Sequence, residues 1–506
     1  MTLTAAQDAF HRRDLAVARA LSMSLLEGGE EDSARLLLAR IATEERQYGE
    51  ALAWCEPVPS GRAPDARLKA QASYAHLLLG RYEAALAAAK AALVAAGADA
   101  ESLDLAAAVF HALADYEPAA TALRTAVVMA PGNPGLLCNL GAVLTLCGDL
   151  TEARAAFERA IELAPDSHQA LAALSELRPA TPERNNLPLI VESLDRVGEP
   201  RARLALHHAL ARELEALGDI EQAAAVLHRG KAEMQRRIGD AGPRDRETFA
   251  ALLRLAAQPA QRDGYSQARP IFVVGMPRSG TTIVEQMLTA CPGVGSIGES
   301  LFLARALRAA SRGRGRGLVD GAALERAWAE LDVLGVGRAY AEQAAALRPA
   351  STRIVDKLPL NLLIAPAILR ALPRASIICL LRDRPDVVVG NYRQMFEYES
   401  GAYDYNLSVE GTAEQADHAE TLASILASRH PDRVLVVRYE DLVRNAPDAG
   451  ERIFNFVDLP WSADFAAIER NRRPVGSASA VQVRSALHGG RIGSSAAWRP
   501  FLSNLS

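Results

Sequence analysis

The residues with the clearest chemical potential lie in a loop framed by two glycines, Gly275 and Gly280. The apolar, β-branched run 271–274 precedes the loop, and residues 281–288 have helical spacing. A strand, a glycine-framed loop and a helix in this order form a phosphate-binding loop, whose backbone N–H groups and helix N-terminus bind an anion. The sequence therefore predicts a site for a phosphate-like group at this loop.

The loop lacks the residues that a Mg-nucleotide P-loop requires. Such a loop has Lys and then Ser or Thr after its second glycine, whereas Thr281 and Thr282 stand here. The only cation of the loop is Arg278. We therefore expect Arg278, Ser279, Gly280 and the two threonines to bind an anion without the ATPase apparatus, which disfavours a P-loop kinase.

Lys357 is a further candidate, because lysine is rare in this chain. Only four of the 56 basic residues are lysines, and Lys357 is the one in the second half. Arginine is the default cation here, so a lysine after the apolar run 353–355 suggests that a compact ammonium is required. A surface lysine without a chemical role is the alternative interpretation.

The phrase Gly-Met-Pro-Arg-Ser-Gly-Thr-Thr at 275–282 resembles the 5′-phosphosulfate loop of sulfotransferases that use 3′-phosphoadenosine-5′-phosphosulfate (PAPS). In particular it resembles the tyrosylprotein-sulfotransferase-like branch, including bacterial members with a tetratricopeptide (TPR) front end. The resemblance covers roughly residues 268–506 and is strong in four places. It implies the fold, PAPS as donor, 3′-phosphoadenosine-5′-phosphate (PAP) as product, and sulfuryl transfer to a hydroxyl; it leaves the acceptor open.

Matching the motifs of this family residue by residue assigns a role to each candidate. Lys357, in Val-Asp-Lys-Leu-Pro, matches the catalytic lysine that supports the leaving oxygen. Glu299, in Ser-Ile-Gly-Glu-Ser, matches the carboxylate that deprotonates the acceptor, and Arg278 would stabilise the transferring charge. Arg382 matches the ligand of the 3′-phosphate, but Gly390 replaces the serine that the family usually has eight residues later.

The same resemblance extends the donor site toward the C-terminus. Tyr439 belongs to a Tyr-Glu-Asp-Leu signature, and Ser477 and Arg484 lie in a segment that resembles the family's donor-closing segment. In that segment Ala497 stands where an arginine often precedes the tryptophan. Asn391 is a candidate to replace the hydroxyl that is lost at position 390.

The elements that must position these residues fall into two kinds. In the first half Gly80, Ala114 and Gly148 recur every 34 residues, which is typical of TPR helix pairs. After a linker at 258–270, short apolar runs at 271–274, 353–355, 376–381 and 434–438 alternate with helical stretches.

Such alternation predicts a parallel sheet with helices on both faces, which binds ligands at the carboxyl ends of its strands. The candidate residues lie just after these runs. We therefore predict an α-helical TPR solenoid over 1–257, followed over 271–506 by an α/β P-loop-like sulfotransferase domain with a central parallel sheet.

Composition excludes several classes of protein. The net charge is −5 overall, and the 28 basic against 25 acidic residues from position 265 onward lack the excess of a nucleic-acid binder. Five cysteines without metal-ligand spacing suit a reducing compartment, and no bound metal is expected. Because neither a signal pattern nor a membrane-spanning apolar run occurs, we expect a cytoplasmic protein without membrane contact.

The predicted function is that of a PAPS-dependent sulfotransferase whose TPR array binds an acceptor protein or peptide. Protein tyrosine, a glycan and a small-molecule hydroxyl all remain open as acceptors, as does a homodimer. The alternative is a TPR scaffold with a degenerate, donor-binding sulfotransferase domain, an interpretation that Gly390 and Ala497 favour.

Overall fold

The chain divides into two compact units, residues 1–163 and 164–506. The second unit thus begins well before the linker predicted at 258–270, and the helices between 168 and 256 belong to the unit that contains the sheet. The assignment of those helices to the repeat array stays a prediction. The computed structural model describes residues 2–26, 31–56, 65–95, 97–259, 261, 263–471, 473–476, 480–484 and 486–502.

The first unit consists of helices that pack in consecutive pairs. Small residues make the close crossings possible: a Cβ on Gly141 would come within 2.7 Å of the Phe157 ring. Gly148 ends its helix with a left-handed φ of 95°, which glycine adopts without steric cost. The described helices are α1 Leu3–His11, α2 Leu15–Leu25, α3 Glu31–Glu44, α4 Tyr48–Cys55, α5 Ala66–Leu78, α6 Tyr82–Val94, α7 Ala100–Ala112, α8 Tyr116–Met129, α9 Pro134–Cys147 and α10 Leu150–Leu163.

The second unit opens with five helices that precede the sheet in sequence. Proline stands in the first turn of three of them, where its missing N–H group costs nothing. These helices are α11 His168–Leu177, α12 Leu187–Arg196, α13 Pro200–Ala216, α14 Ile220–Ile238 and α15 Gly242–Ala256.

A parallel sheet with the strand order β2-β3-β1-β4-β5 forms the centre of this unit. All four strands predicted from the sequence are confirmed. The sequence analysis missed the short strand β2, because the turn signals around Pro292 and Gly293 obscured it. The strands are β1 Ile271–Gly275, β2 Val294–Ser296, β3 Arg353–Asp356, β4 Ser376–Leu381 and β5 Val434–Arg438.

Helices connect the strands and cover the sheet. Every residue of β1 is buried, as expected for a central parallel strand with both faces covered. The helices are α16 Thr281–Ala290, α17 Phe302–Ser311, α18 Gly321–Ala327, α19 Val333–Leu347, α20 Ala365–Ala371, α21 Arg384–Tyr392, α22 Val409–Arg429, α23 Tyr439–Arg444 and α24 Ala446–Phe456. Short 3-10 helices span Pro359–Ile364, Asp404–Leu407, Ala463–Ala466, Ile468–Arg470, Gln482–Arg484, Gly489–Arg491 and Arg499–Phe501.

Among the described residues, none of the helices combines the length and the apolar character needed to cross a lipid bilayer.

Candidate active site

The loop between β1 and α16 has the backbone that its two glycines predict. Gly275 follows the last buried apolar residue of β1, and a Cβ there would lie 2.4 Å from the carbonyl oxygen of Leu380 on β4. Gly280 caps α16 with a φ of 101°, and a Cβ there would lie 2.7 Å from the ring of Tyr439. Both positions therefore exclude a side chain, and the loop approaches its neighbours closely.

Inside the loop, Arg278 and Ser279 have different tasks. Arg278 adopts a left-handed φ of 67°, an uncommon conformation for a residue with a side chain. Ser279 is fully buried, and its hydroxyl donates to the carbonyl oxygen of Met276 at 2.7 Å. Ser279 thus stabilises the loop from within, while Arg278 presents its guanidinium, which donates to Gln482.

The strand order arranges the predicted residues in a row at one edge of the sheet. Glu299 follows β2, Lys357 follows β3, Arg278 follows β1, Arg382 follows β4 and Tyr439 follows β5. Because parallel strands end at the same edge, each strand contributes one candidate in the order of the sheet. The phosphate-binding loop occupies the middle of this row.

On one side of the loop, Lys357 forms an ion pair with Glu299. Its Nζ lies 2.6 Å from Oε1 of Glu299 and 3.8 Å from Oε2 of Glu285. The Lys357 side chain is 1% exposed and that of Glu299 is 32% exposed. The ammonium is therefore enclosed, whereas the carboxylate can be reached from outside.

The neighbouring carboxylates determine the charge of Lys357. Burial alone lowers the pKa of this lysine, but Glu299 and Glu285 outweigh burial and hold the pKa above its ordinary value. Burial raises the pKa of Glu285, against which Lys357 and Ser296 act; the Ser296 hydroxyl donates to Glu285 Oε1 at 2.6 Å. Lys357 thus remains an ammonium in a buried position.

Asp356, the residue before Lys357, is a buried acid. It is fully buried, and the Asn361 side-chain amide donates to its Oδ1 at 2.9 Å. Burial raises the pKa of Asp356 to about 8, although hydrogen bonds from Tyr340 and Ser300 oppose the shift. Asp356 therefore supports the strand end that presents Lys357.

On the other side of the loop, Arg382 and Tyr439 pack against each other. The Arg382 guanidinium lies 4.4 Å from the centre of the Tyr439 ring, a cation–π contact. Arg382 Nη1 donates to the carbonyl oxygen of Arg278 at 3.1 Å, and Nη2 donates to that of Arg491 at 2.6 Å. The pair thus joins the phosphate-binding loop to the C-terminal segment.

A cavity of about 180 Å³ opens at this side of the row. Of the predicted donor ligands, Arg278, Gly280, Thr282, Arg382 and Tyr439 line it. Lys357 and Glu299 are not among its lining residues. Burial lowers the pKa of the Arg278 guanidinium to about 10, and Glu176 opposes that shift.

The helices before the sheet also reach this cavity. Glu176 of α11 and Arg212 of α13 line it together with Arg393, which follows α21. Glu176 and Arg212 were not predicted from the sequence, because 63 or more positions separate them from the loop at 275–280 and neither lies in a motif. Glu285 was missed as well; the available signal was that it is the one charged residue of α16.

The expectation that Asn391 replaces the missing serine hydroxyl is wrong. Asn391 is fully buried, and its amide nitrogen donates to the carbonyl oxygens of Pro277 at 2.5 Å and Val387 at 2.9 Å. One N–H group therefore binds the loop and the other binds the preceding turn of α21. At Gly390, a Cβ would lie 3.3 Å from the Cβ of Arg278, so the arginine stem covers that position.

The C-terminal segment folds back onto the row. Asp386 accepts hydrogen bonds from the backbone N–H groups of Gly493 at 2.7 Å and Ser495 at 2.9 Å. Arg484 donates to the carbonyl oxygen of Asn471 at 3.5 Å and is not among the lining residues of the cavity. The predicted ligand Ser477 lies outside the described residues.

The described residues contain no group of three or more histidine, cysteine, aspartate or glutamate side chains placed to hold a metal ion.

Two regions of the chain match known protein families. Residues 270–463 match the sulfotransferase family, and residues 134–167 match the tetratricopeptide repeat. The sulfotransferase match lies within the second unit, and the tetratricopeptide match includes α9 and α10.

Three relatives share part of this sequence. An uncharacterised protein of Aquifex aeolicus is 28% identical over 44% of this chain and 30% of its own length. A putative protein-tyrosine sulfotransferase of Caenorhabditis briggsae is 28% identical over 38% of this chain and 66% of its own length. A protein-tyrosine sulfotransferase of Drosophila melanogaster is 26% identical over 39% of this chain and 40% of its own length. The matched region thus spans less than two thirds of each relative.

Among solved structures, the sulfotransferase domain of a Synechococcus olefin synthase is similar with 18% identity and a TM-score of 0.32. The match covers 48% of this chain and 91% of that domain.

Proposed function

We propose that this protein transfers the sulfuryl group of PAPS to a hydroxyl acceptor, for which protein tyrosine is one candidate. The row at the sheet edge carries the proposal. It combines an accessible carboxylate (Glu299), a buried ammonium (Lys357), an anion loop with Arg278, and a cavity that Arg382 lines. The names of two relatives, both protein-tyrosine sulfotransferases, support tyrosine among the acceptors.

The residues around the cavity fit a nucleotide that carries two phosphate groups. Besides the loop with Arg278, the cavity has Arg382, whose buried Nε finds no hydrogen-bond partner among the described residues. A buried charged donor without an acceptor is costly, so an anionic group beside Arg382 would satisfy it. When bound, PAPS supplies a sulfuryl group that is attached to a phosphate.

The proposed reaction requires three functions, and a different residue of the row can perform each of them. Glu299 accepts the proton of the acceptor hydroxyl while the new sulfur–oxygen bond forms. Lys357 stabilises the charge on the bridging oxygen, which stays with the phosphate when the old sulfur–oxygen bond breaks. Arg278 stabilises the charge on the transferring group, and PAP is released.

A degenerate, donor-binding scaffold is the competing function, and the departure at Gly390 favours it. The ion pair opposes it. Enclosing Lys357 to 1% exposure between two carboxylates costs desolvation free energy, which a scaffold without chemistry has no reason to retain.

Ligand-dependent stability tests the donor assignment on the full chain. PAP at 100 times its dissociation constant should stabilise the protein by about 2.7 kcal/mol, whereas ATP with Mg²⁺ should not, because Thr281 replaces the lysine of a nucleotide P-loop. Equal stabilisation by both nucleotides would contradict the donor assignment. Transfer of radiolabelled sulfate from PAPS to a tyrosine peptide, a glycan or a small phenol then identifies the acceptor, and binding without any transfer would favour the scaffold.

A further inference from the structure

The charges around the cavity exceed what one phosphate group requires. Two lining carboxylates, Glu176 and Asp386, together with Glu215, which pairs with Arg212 and Arg393, balance the charge of its five lining arginines only in part. The arginines are Arg212, Arg278, Arg382, Arg393 and Arg491. A cavity of this size with an excess of positive charge favours a ligand with more than one anionic group.

Three of these arginines keep an unused donor. No described residue accepts a hydrogen bond from the buried Nε of Arg212, Arg382 or Arg393. Buried donors of a charged group nearly always have a partner. Three such donors around one cavity therefore point to a ligand with several acceptor oxygens.

The structure holds Arg212 and Arg393 in place from the helices before the sheet. Arg212 contacts Glu176 at 3.0 Å and Glu215 at 3.1 Å. Arg393 pairs with the same Glu215, and its guanidinium lies 4.7 Å from the centre of the Trp498 ring. The two arginines therefore share one support, which is independent of the phosphate-binding loop.

Gly390 leaves one part of the cavity wall without a side-chain donor. Asp386, Gly390 and Arg393 all line the cavity from α21 and its C-terminal end. Gly390 offers no hydroxyl, and the stem of Arg278 covers it. Arg393, three residues further on, and Arg212 line the same cavity, and each keeps an unused Nε donor.

We propose that Arg212 and Arg393 act together with Arg382 as the second phosphate subsite of this cavity, which binds the 3′-phosphate of a 3′,5′-bisphosphorylated nucleotide. The inference rests on the proposed function, because it assumes such a nucleotide as ligand. It adds that the donor site is completed by α11 and α13, which lie outside the matched sulfotransferase region 270–463.

Calorimetric titration of the full chain with PAP and with AMP, which lacks the 3′-phosphate, tests the subsite. Arg212→Gln and Arg393→Gln should each weaken PAP binding by about 10- to 100-fold, the range for hydrogen bonds to charged groups. AMP affinity should stay within about threefold, and it also reports that each variant is folded. Arg201→Gln is the matched control, because Arg201 lies on the same helix as Arg212 and pairs with exposed Glu399 away from the cavity.

The outcomes separate the subsite from the donor assignment. If wild-type protein binds PAP more tightly than AMP and both glutamine variants keep this preference, the subsite is overturned and the proposed function stands. An equal loss of PAP and AMP affinity also overturns it. A wild-type protein that binds neither nucleotide overturns both. Should Arg212→Gln fail to fold, Arg212→Lys retains the charge beside Glu176 and should still lower the PAP preference at least threefold.

Discussion

Lys357 Nζ and Glu299 Oε1 lie 2.6 Å apart, yet the lysine is 1% exposed and the glutamate 32% exposed. The ion pair thus has a buried member and an accessible member. An acceptor can approach the carboxylate, while the ammonium is fixed beneath it by Glu285. This difference in exposure suits the roles proposed for the two residues: Glu299 would act on the acceptor, and Lys357 would act on the donor.

We expect Glu299→Gln to lower the transfer rate about 100-fold or more. Glutamine keeps the size and polarity of the side chain but cannot accept a proton. Single-turnover assays with PAPS measure the rate, and PAP titration should give an affinity close to wild type, because Glu299 does not line the cavity. A rate within tenfold of wild type would exclude Glu299 as the base.

We expect Lys357→Arg to be nearly as damaging as Lys357→Ala. The site encloses a point charge between Glu285 and Glu299, and a planar, forked guanidinium is larger and differently shaped. Transfer rates of both variants, compared at equal PAPS saturation, measure the effect. An arginine variant with a near-normal rate would show that any cation suffices there, and circular dichroism shows whether either variant has lost its fold.

Most of the row could be predicted because its signals are local. The run 271–274 and the glycines at 275 and 280 predict a strand, a loop and a helix. Lys357, Arg382 and Tyr439 each follow an apolar run that forms a strand. Lys357 also stood out by its rarity. The order of these residues at the sheet edge could not be predicted, because it depends on which strands pair.

The rest of the site depends on long-range packing. Glu176 and Arg212 reach the cavity only because α11 and α13 pack onto the sheet-containing unit, and no local pattern reports such a contact. Asn391 shows the opposite error: its position suggested a ligand, but it is buried, and its amide donates to the loop at Pro277 and to its own helix at Val387.

Two N-terminal deletions should separate acceptor selection from donor binding. A protein that starts at residue 164 retains the whole second unit and should bind PAP as the full chain does, while its use of a protein acceptor should weaken. A protein that starts at 258 lacks Glu176 and Arg212 and should lose PAP affinity at least tenfold. Titration with PAP after circular dichroism measures this, and undiminished binding by the shorter protein would show that the preceding helices are dispensable for the donor.

Asp356 should make stability depend on pH. Burial raises its pKa in the folded protein to about 8 from an ordinary value of 3.8. Between these values the folded protein keeps the proton that the unfolded chain releases, so this group's contribution is complete below pH 4 and is lost as pH rises toward 8. The limiting slope is about 1.4 kcal/mol per pH unit.

Asp356→Asn should remove this dependence, since asparagine resembles the protonated acid and can still accept the hydrogen bond from Asn361. The variant should therefore gain stability relative to wild type as pH rises from 5 to 8. Thermal unfolding midpoints of both proteins in matched buffers measure the difference, with Asp464→Asn, an exposed aspartate, as the control. A constant difference across this range would mean that Asp356 is ionised in the folded protein, and that the charge before Lys357 belongs to the site.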